Sequence, residues 1–367
     1  MTKSLVTVRP TKVFEILRDN EEDGIHTFLH GASGIGKTAI VEQFAKAEAD
    51  RLGLSFWHIG LEAQPDVPVA DLYGYIDARV ATWDALDVKG APVADVEREV
   101  TRFLTNSVLP DANRHGIRGL VNFDELPQGV TSVSNALSQI FLGGHIGDAY
   151  TFPKGWQIVA TGNRKCDNAG TNKIGAQTYN RFANYEVVPH PDDFAQYLAR
   201  NGSDGRVGAF ARLKEELLSG YSRGDIAFSS PRMLEACDKK IRKIDDGDFL
   251  ETQLAALVSV EVASELVGFL KICTQLTSFS QIVKSPDTAK VPQAGEESAL
   301  AATFALISMC AGKQLTEKNI GAVITYVERL PEDFQTTWAL DVISNHPDLQ
   351  ETVEFSTWRS KHGSFAV

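Results

Sequence analysis

The chain has 367 residues, 43% of them hydrophobic, and a formal net charge of −12 at pH 7. That length calls for two or three domains, and that apolar content excludes global disorder. The acidic balance argues against attraction of the whole surface to nucleic acid or an anionic membrane, although it leaves room for a local basic groove.

No run approaches the roughly 18 consecutive apolar residues of a membrane span, and the opening MTKSLVTVRP lacks the apolar core of a secretion signal. The four cysteines (Cys166, Cys237, Cys273, Cys310) are widely separated and form no CxxC. They suit reduced thiols in a cytoplasmic protein rather than a zinc site or a disulfide framework.

In chain order, residues 1–24 predict a short leading helix with Val13, Phe14, Ile16 and Leu17 as its apolar stripe. Strands are expected at 25–30, 55–59, 119–123, 156–161 and 185–188, with helices at 38–51 and 130–142 between them. This alternation predicts an α/β core: a five-stranded, mostly parallel sheet with flanking helices. The interval 62–118 reads as an insertion, because a structureless loop of that length is improbable. A short hairpin near 75–83 and a charged helix near 92–106 are expected inside it. Another hairpin is expected at 143–156, where His145-Ile146-Gly147-Asp148 and Pro153-Lys154-Gly155 supply turn chemistry.

Beyond Pro189 the pattern turns helical, at 192–200, 207–219, 231–244 and 250–276. A polar, proline-containing linker over 281–297 precedes helical stretches at 298–310, 316–329 and 332–344. The expected division is a core over 1–190, a helical lid over 191–280, the linker, and a helical segment over 298–367.

The most specific pattern is Gly31-Ala32-Ser33-Gly34-Ile35-Gly36-Lys37-Thr38, which fits G-x-x-x-x-G-K-[ST] without a mismatch and runs on into Ala39. A strand precedes it and a helix follows, the context a phosphate loop needs. Glycines let backbone N–H groups turn inward around a phosphate, and the helix N-terminus adds partial positive charge. Lys37 is placed to reach the β- and γ-phosphates, and Thr38 to offer its hydroxyl to Mg²⁺. Chance meets this pattern in such a chain on the order of 1% of the time, so a nucleoside triphosphate site is expected.

Leu120-Val121-Asn122-Phe123-Asp124-Glu125 reads as a strand ending in two carboxylates. Asp124 suits the metal's water shell, and Glu125 suits orienting and deprotonating the attacking water.

These paired patterns resemble the AAA+ ATPase superfamily. Ile158-Val159-Ala160-Thr161-Gly162-Asn163 is similar to its sensor 1 strand, which implies that Asn163 bridges the catalytic glutamate and the γ-phosphate. Asn180-Arg181-Phe182 sits where the family places its arginine finger, which usually completes a neighbouring subunit's site. Ser230-Pro231-Arg232 resembles sensor 2, which implies that Arg232 reaches the γ-phosphate from the lid. Arg181 and Arg232 have plainer alternatives as a salt-bridged surface residue and a solvated helix residue, and Arg164 competes for a phosphate or intersubunit role.

Asp71-Leu72-Tyr73-Gly74, Ala136 to Phe141 with Gly143-Gly144-His145-Ile146, and Asp167 to Asn172 resemble the MoxR-like branch with its CbbQ/NorQ-type relatives. Arg164 departs from that branch, where many members have proline.

The resemblance covers about residues 10–275 and implies ATP and Mg²⁺ as ligands and a homo-oligomeric ring, usually a hexamer. It also implies a client protein remodelled in a chaperone manner, in relatives often with a von Willebrand factor A-type partner. A nucleic-acid motor or loader of McrB-like architecture is the alternative. A nucleotide-dependent assembly switch is a third reading, against which the intact Glu125 argues.

Overall fold

A computed structural model describes residues 5–147, 149–164, 175–222, 225–274, 277–292, 315–345 and 347–362. The segment Asp167 to Asn172, the expected helix at 298–310, Cys166 and Cys310 lie outside the described residues. The chain divides into two compact units, Met1–Val188 and Pro189–Val367.

The first unit runs β1 (Val6–Val8), α1 (Pro10–Glu22), β2 (His26–Gly31), α2 (Lys37–Leu52), β3 (Ser55–His58), β4 (Leu72–Arg79) and α3 (Ala85–Lys89). Next come β5 (Ala91–Asp95), β6 (Val100–Leu104), α4 (Ala112–His115), β7 (Arg118–Asp124) and α5 (Thr131–Gly143). It closes with β8 (His145–Ile146), β9 (Tyr150–Thr151), β10 (Trp156–Asn163), α6 (Ala176–Tyr179) and β11 (Phe182–Val187).

Seven strands form the main sheet in the order β1-β11-β2-β10-β7-β4-β3, and every pair in it is parallel. Parallel pairing needs crossover connections, which cover both faces with helices. Successive strand residues therefore enter opposite cores. Phe28 and Ile158 pack with Leu137 and Phe141 of α5, whereas Leu29 and Val159 pack with Leu17 of α1 and Phe44 of α2.

The sheet thus has two more strands than expected, β1 and β4. The short hairpin expected near 75–83 is in fact β4, a central strand held between β3 and β7. Its residues Leu72 to Ile76 are all buried, so the polar–apolar alternation that marks a half-exposed strand is missing. Gly74 at its centre is required by close packing: a Cβ there would stand 2.4 Å from the His115 carbonyl oxygen and 2.6 Å from the Trp156 ring.

The inserted region is accordingly 80–117 rather than 62–118. Inside it, the expected charged helix near 92–106 is an antiparallel hairpin, β5 on β6, in register from Ala91↔Leu104 to Asp95↔Val100. Val93, Val100 and Thr101 favour extended backbone, and Glu99 near the tip has φ +54°.

Among its described residues the second unit forms helices and no strand: α7 (Pro191–Arg200), α8 (Arg206–Leu213), α9 (Pro231–Ile241), α10 (Gly247–Val258), α11 (Val260–Cys273) and α12 (Phe279–Lys284). Helices over Ile320–Val327, Glu332–Asn345, Pro347–Gln350 and Val353–His362 follow. The expected single helix over 250–276 is two, broken at Ser259 (φ +109°), whose hydroxyl accepts from Val262 N–H to cap α11.

Helices α7 to α11 share one core around Phe210, Leu234, Leu254 and Leu266. A separate core gathers Phe279 and Ile282 of α12 with Ala289, Tyr326, Trp338 and Phe355. The segment read as a linker is therefore packed where it is described: Tyr326 donates to the Lys290 carbonyl at 2.8 Å, and Ala289 is buried.

Candidate nucleotide site

The loop between β2 and α2 is built by glycines in conformations a side chain resists. Gly34 (φ +79°) and Gly36 (φ +91°) are left-handed, with Gly36 at the N-cap of α2. Gly31 is excluded from carrying a side chain for another reason, since a Cβ would lie 2.5 Å from Ile35 Cδ1 and 2.8 Å from the Val187 carbonyl oxygen. Ala32 and Ile35 are buried and anchor the loop to the core shared by α1 and α2. Ser33 is exposed and Ala39 follows in the first turn of α2.

Lys37 opens α2, and its buried ammonium turns back over the loop. It donates to the carbonyls of Gly31 (3.0 Å) and Ala32 (2.8 Å) and to Asn163 Oδ1 (3.2 Å). Thr38 Oγ1 donates to Asp124 Oδ2 at 3.1 Å. Asp124 is the last residue of β7, and Asn163 is the last of β10 and the register partner of Gly31. Because β2, β10 and β7 are adjacent and parallel, these residues converge at the carboxyl edge of the sheet, the edge where open α/β sheets bind ligands.

Glu125 follows Asp124 in a left-handed conformation (φ +53°), uncommon for a residue with a side chain. Its N–H donates to Asp124 Oδ1 at 3.0 Å, and the chain then turns through Leu126–Gln128.

Three polar residues at this edge carried no role in the sequence reading. Thr161 and Asn122 are wholly buried. The Thr161 hydroxyl donates to Asp124 Oδ1 and lies 3.3 Å from Asn122 Oδ1. Asp77 of β4 accepts from Asn122 Nδ2 at 3.5 Å. Burial, reinforced by the charge of Asp124, pushes its carboxyl above the ordinary range, while Arg79 at 3.6 Å opposes the shift. The available signal was spacing, since Thr161 and Asn122 stand two residues before Asn163 and Asp124, each behind an apolar run (Ile158 to Ala160 and Leu120-Val121).

Arg181 is not brought to this group. It immediately precedes β11, whose first residue Phe182 is in register with His26 at the amino end of β2. Five strand residues, about 16 Å, separate that end from the carboxyl edge. Its guanidinium donates to the carbonyl of Ser138 in α5. Arg164 does lie at the carboxyl edge, paired with Glu186 at 3.1 Å. Arg232 belongs to the second unit, in the first turn of α9 behind Pro231 and the capping Ser230 hydroxyl.

Among the described residues, no group of three His, Cys, Asp or Glu is arranged to cage a metal. One carboxylate and one hydroxyl beside a phosphate cradle fit Mg²⁺, which is usually held by one or two carboxylates, water and substrate phosphates.

No protein-family model and no curated protein sequence matches the chain. Among solved structures it is similar to a mutant RuvB from Thermotoga maritima, at 14% identity over 71% of this chain and 69% of that one, with a TM-score of 0.37. It is also similar to NtrX from Brucella abortus in complex with ATP, at 11% identity over 97% of this chain and 66% of that one, with a TM-score of 0.40. Likenesses this loose carry no function across; the loop, the sheet and their side chains stand by themselves. No helix among the described residues is long and apolar enough to cross a membrane.

Proposed function

We propose that the chain is an AAA+ ATPase that hydrolyses Mg²⁺-bound ATP at a site shared by two neighbouring copies. The observation that carries this reading is a division of the sheet. Lys37, Thr38, Asp124 and Asn163 meet at its carboxyl edge, whereas Arg181 stands at its amino edge.

In this reading the loop N–H groups and the N-terminus of α2 take the β-phosphate. Lys37 exchanges its loop carbonyls for β- and γ-phosphate oxygens. Thr38 and Asp124 hold Mg²⁺, which neutralises charge on the β- and γ-phosphates. Glu125 orients the attacking water and receives its proton, and Asn163 links that water's position to the γ-phosphate. An arginine at the amino edge, its guanidinium held on the Ser138 carbonyl, is set apart from its own loop, but a copy packed edge to edge can present it to the next site. Its permanent charge and planar fork suit the oxygens on which charge develops.

Loss of the γ-phosphate removes what Arg181 grips, converting hydrolysis into motion of the ring. A hexamer, and remodelling of a client protein in the MoxR-like manner, follow from the sequence resemblance alone.

The test is complementation. Arg181→Ala binds ATP but does not turn it over, Lys37→Ala does neither, and mixing them restores part of the turnover because some interfaces combine an intact loop with an intact finger. A mixture as inactive as its components overturns the shared site.

A further inference from the structure

The buried hydroxyl of Thr161 donates to Asp124, one of the two residues proposed to hold Mg²⁺. We infer that Thr161 is a positioning residue that sets the Asp124 carboxylate and, through it, the Thr38 hydroxyl for Mg²⁺; this rests on the ATPase reading above.

A hydroxyl that offers a lone pair to a cation must point its proton elsewhere. Here the Thr38 proton goes to Asp124 Oδ2 at 3.1 Å, which leaves the oxygen's lone pairs for the metal. That arrangement holds only while the carboxylate keeps its rotamer. A carboxylate on the last residue of a strand has freedom about χ1 and χ2, and two donors on its other oxygen remove it: the Glu125 N–H at 3.0 Å and the Thr161 hydroxyl.

The Glu125 donor belongs to a turn. Thr161, by contrast, is in the interior of β10, wholly buried, with its β-branched χ1 restricted by the strand. It has one proton to give. Asp124 is the closer acceptor and the charged one, so the proton goes there, while Asn122 at 3.3 Å confines the oxygen from the other side. Two residues further along β10, Asn163 holds Lys37 at 3.2 Å. One strand therefore fixes both the metal-side carboxylate and the phosphate-side ammonium.

The experiment compares wild type, Thr161→Val and Thr161→Ser in the full chain. Binding of a fluorescent ATP is titrated in EDTA and then against Mg²⁺ at fixed nucleotide. Valine keeps the shape and removes the hydroxyl, whereas serine keeps the hydroxyl. Expected for valine is about a tenfold rise or more in the Mg²⁺ concentration needed for half-maximal effect, with affinity in EDTA within about twofold of wild type. Serine recovers most of the Mg²⁺ response. Should valine fail to fold, as judged by its melting transition, Thr161→Ala carries the same expectation.

An unchanged Mg²⁺ response in the valine variant overturns the inference and leaves the ATPase reading intact. So does equal weakening with and without Mg²⁺, which marks a merely structural role. Failure of the wild type to bind nucleotide at all overturns both.

Discussion

Lys37 Nζ lies 3.2 Å from Asn163 Oδ1, across 126 positions of sequence, and the same ammonium holds the carbonyls of Gly31 and Ala32. The lysine thus ties the loop to the end of β10 and covers the cradle it is proposed to open for phosphate. Nucleotide binding exchanges uncharged carbonyl partners for anionic oxygens, a favourable trade because the ammonium then meets a full opposite charge instead of a carbonyl dipole.

Lys37→Ala is therefore expected to weaken ATP binding by about ten- to a hundredfold, since a hydrogen bond to a charged group contributes about 1.5–3 kcal/mol. Titration with fluorescent ATP measures it. Binding within a few-fold of wild type would remove Lys37 from the site.

Glu125 makes two expectations that pull in opposite directions. Glu125→Gln should keep ATP affinity within a few-fold and lower turnover by about a hundred- to ten-thousandfold, the usual contribution of a general base. Glu125→Gly should also lose turnover yet melt higher, because φ +53° suits glycine and strains a side chain by about 1 kcal/mol. Steady-state phosphate release and a thermal melt separate the two effects. A lower melting temperature for the glycine variant would show that the side chain stabilises the turn.

Gly74→Ala should destabilise the first unit by about 1–3 kcal/mol, the usual cost of overpacking. The added methyl would meet the His115 carbonyl oxygen and the Trp156 ring, two rigid neighbours, in the middle of β4. Urea unfolding gives the value, and an unchanged midpoint would mean that the strand shifts without cost.

Asp77 sets a pH dependence. Burial first, and Asp124 second, raise its carboxyl above the ordinary value of 3.8, so the native chain holds that proton more tightly than the unfolded one. Ionisation then costs stability, a cost absent below the ordinary carboxylate range and complete above the raised value. Asp77→Asn should melt higher than wild type at pH 7, and the gap should close as pH falls toward 3.8. A gap that stays constant with pH would place the effect in packing rather than charge.

Much of the site could be read directly from the chain because its parts are contiguous. The phosphate loop needs left-handed glycines at fixed offsets, and Gly34 and Gly36 have them. The strand ending in Asp124 and Glu125 announces itself as an apolar run meeting two carboxylates. The stretches 25–30, 55–59, 119–123, 156–161 and 185–188 all fall on strands of the main sheet. β4 escaped because a strand buried on both faces has no alternation to display, and its tyrosines around a glycine resemble a turn. The β5–β6 hairpin escaped because charges at its tip mimic a solvated helix face.

Sequence alone therefore determined the loop, its lysine and threonine, the strand carboxylates and the helical character beyond Pro189, all of which depend on neighbours a few residues apart. Tertiary structure decided which strand lies beside which, that Arg181 stands at the opposite edge from Lys37, and that Thr161 reaches Asp124. Those relationships depend on parallel pairing between distant segments, and parallel pairing leaves no local mark because its partners are joined only through long crossovers.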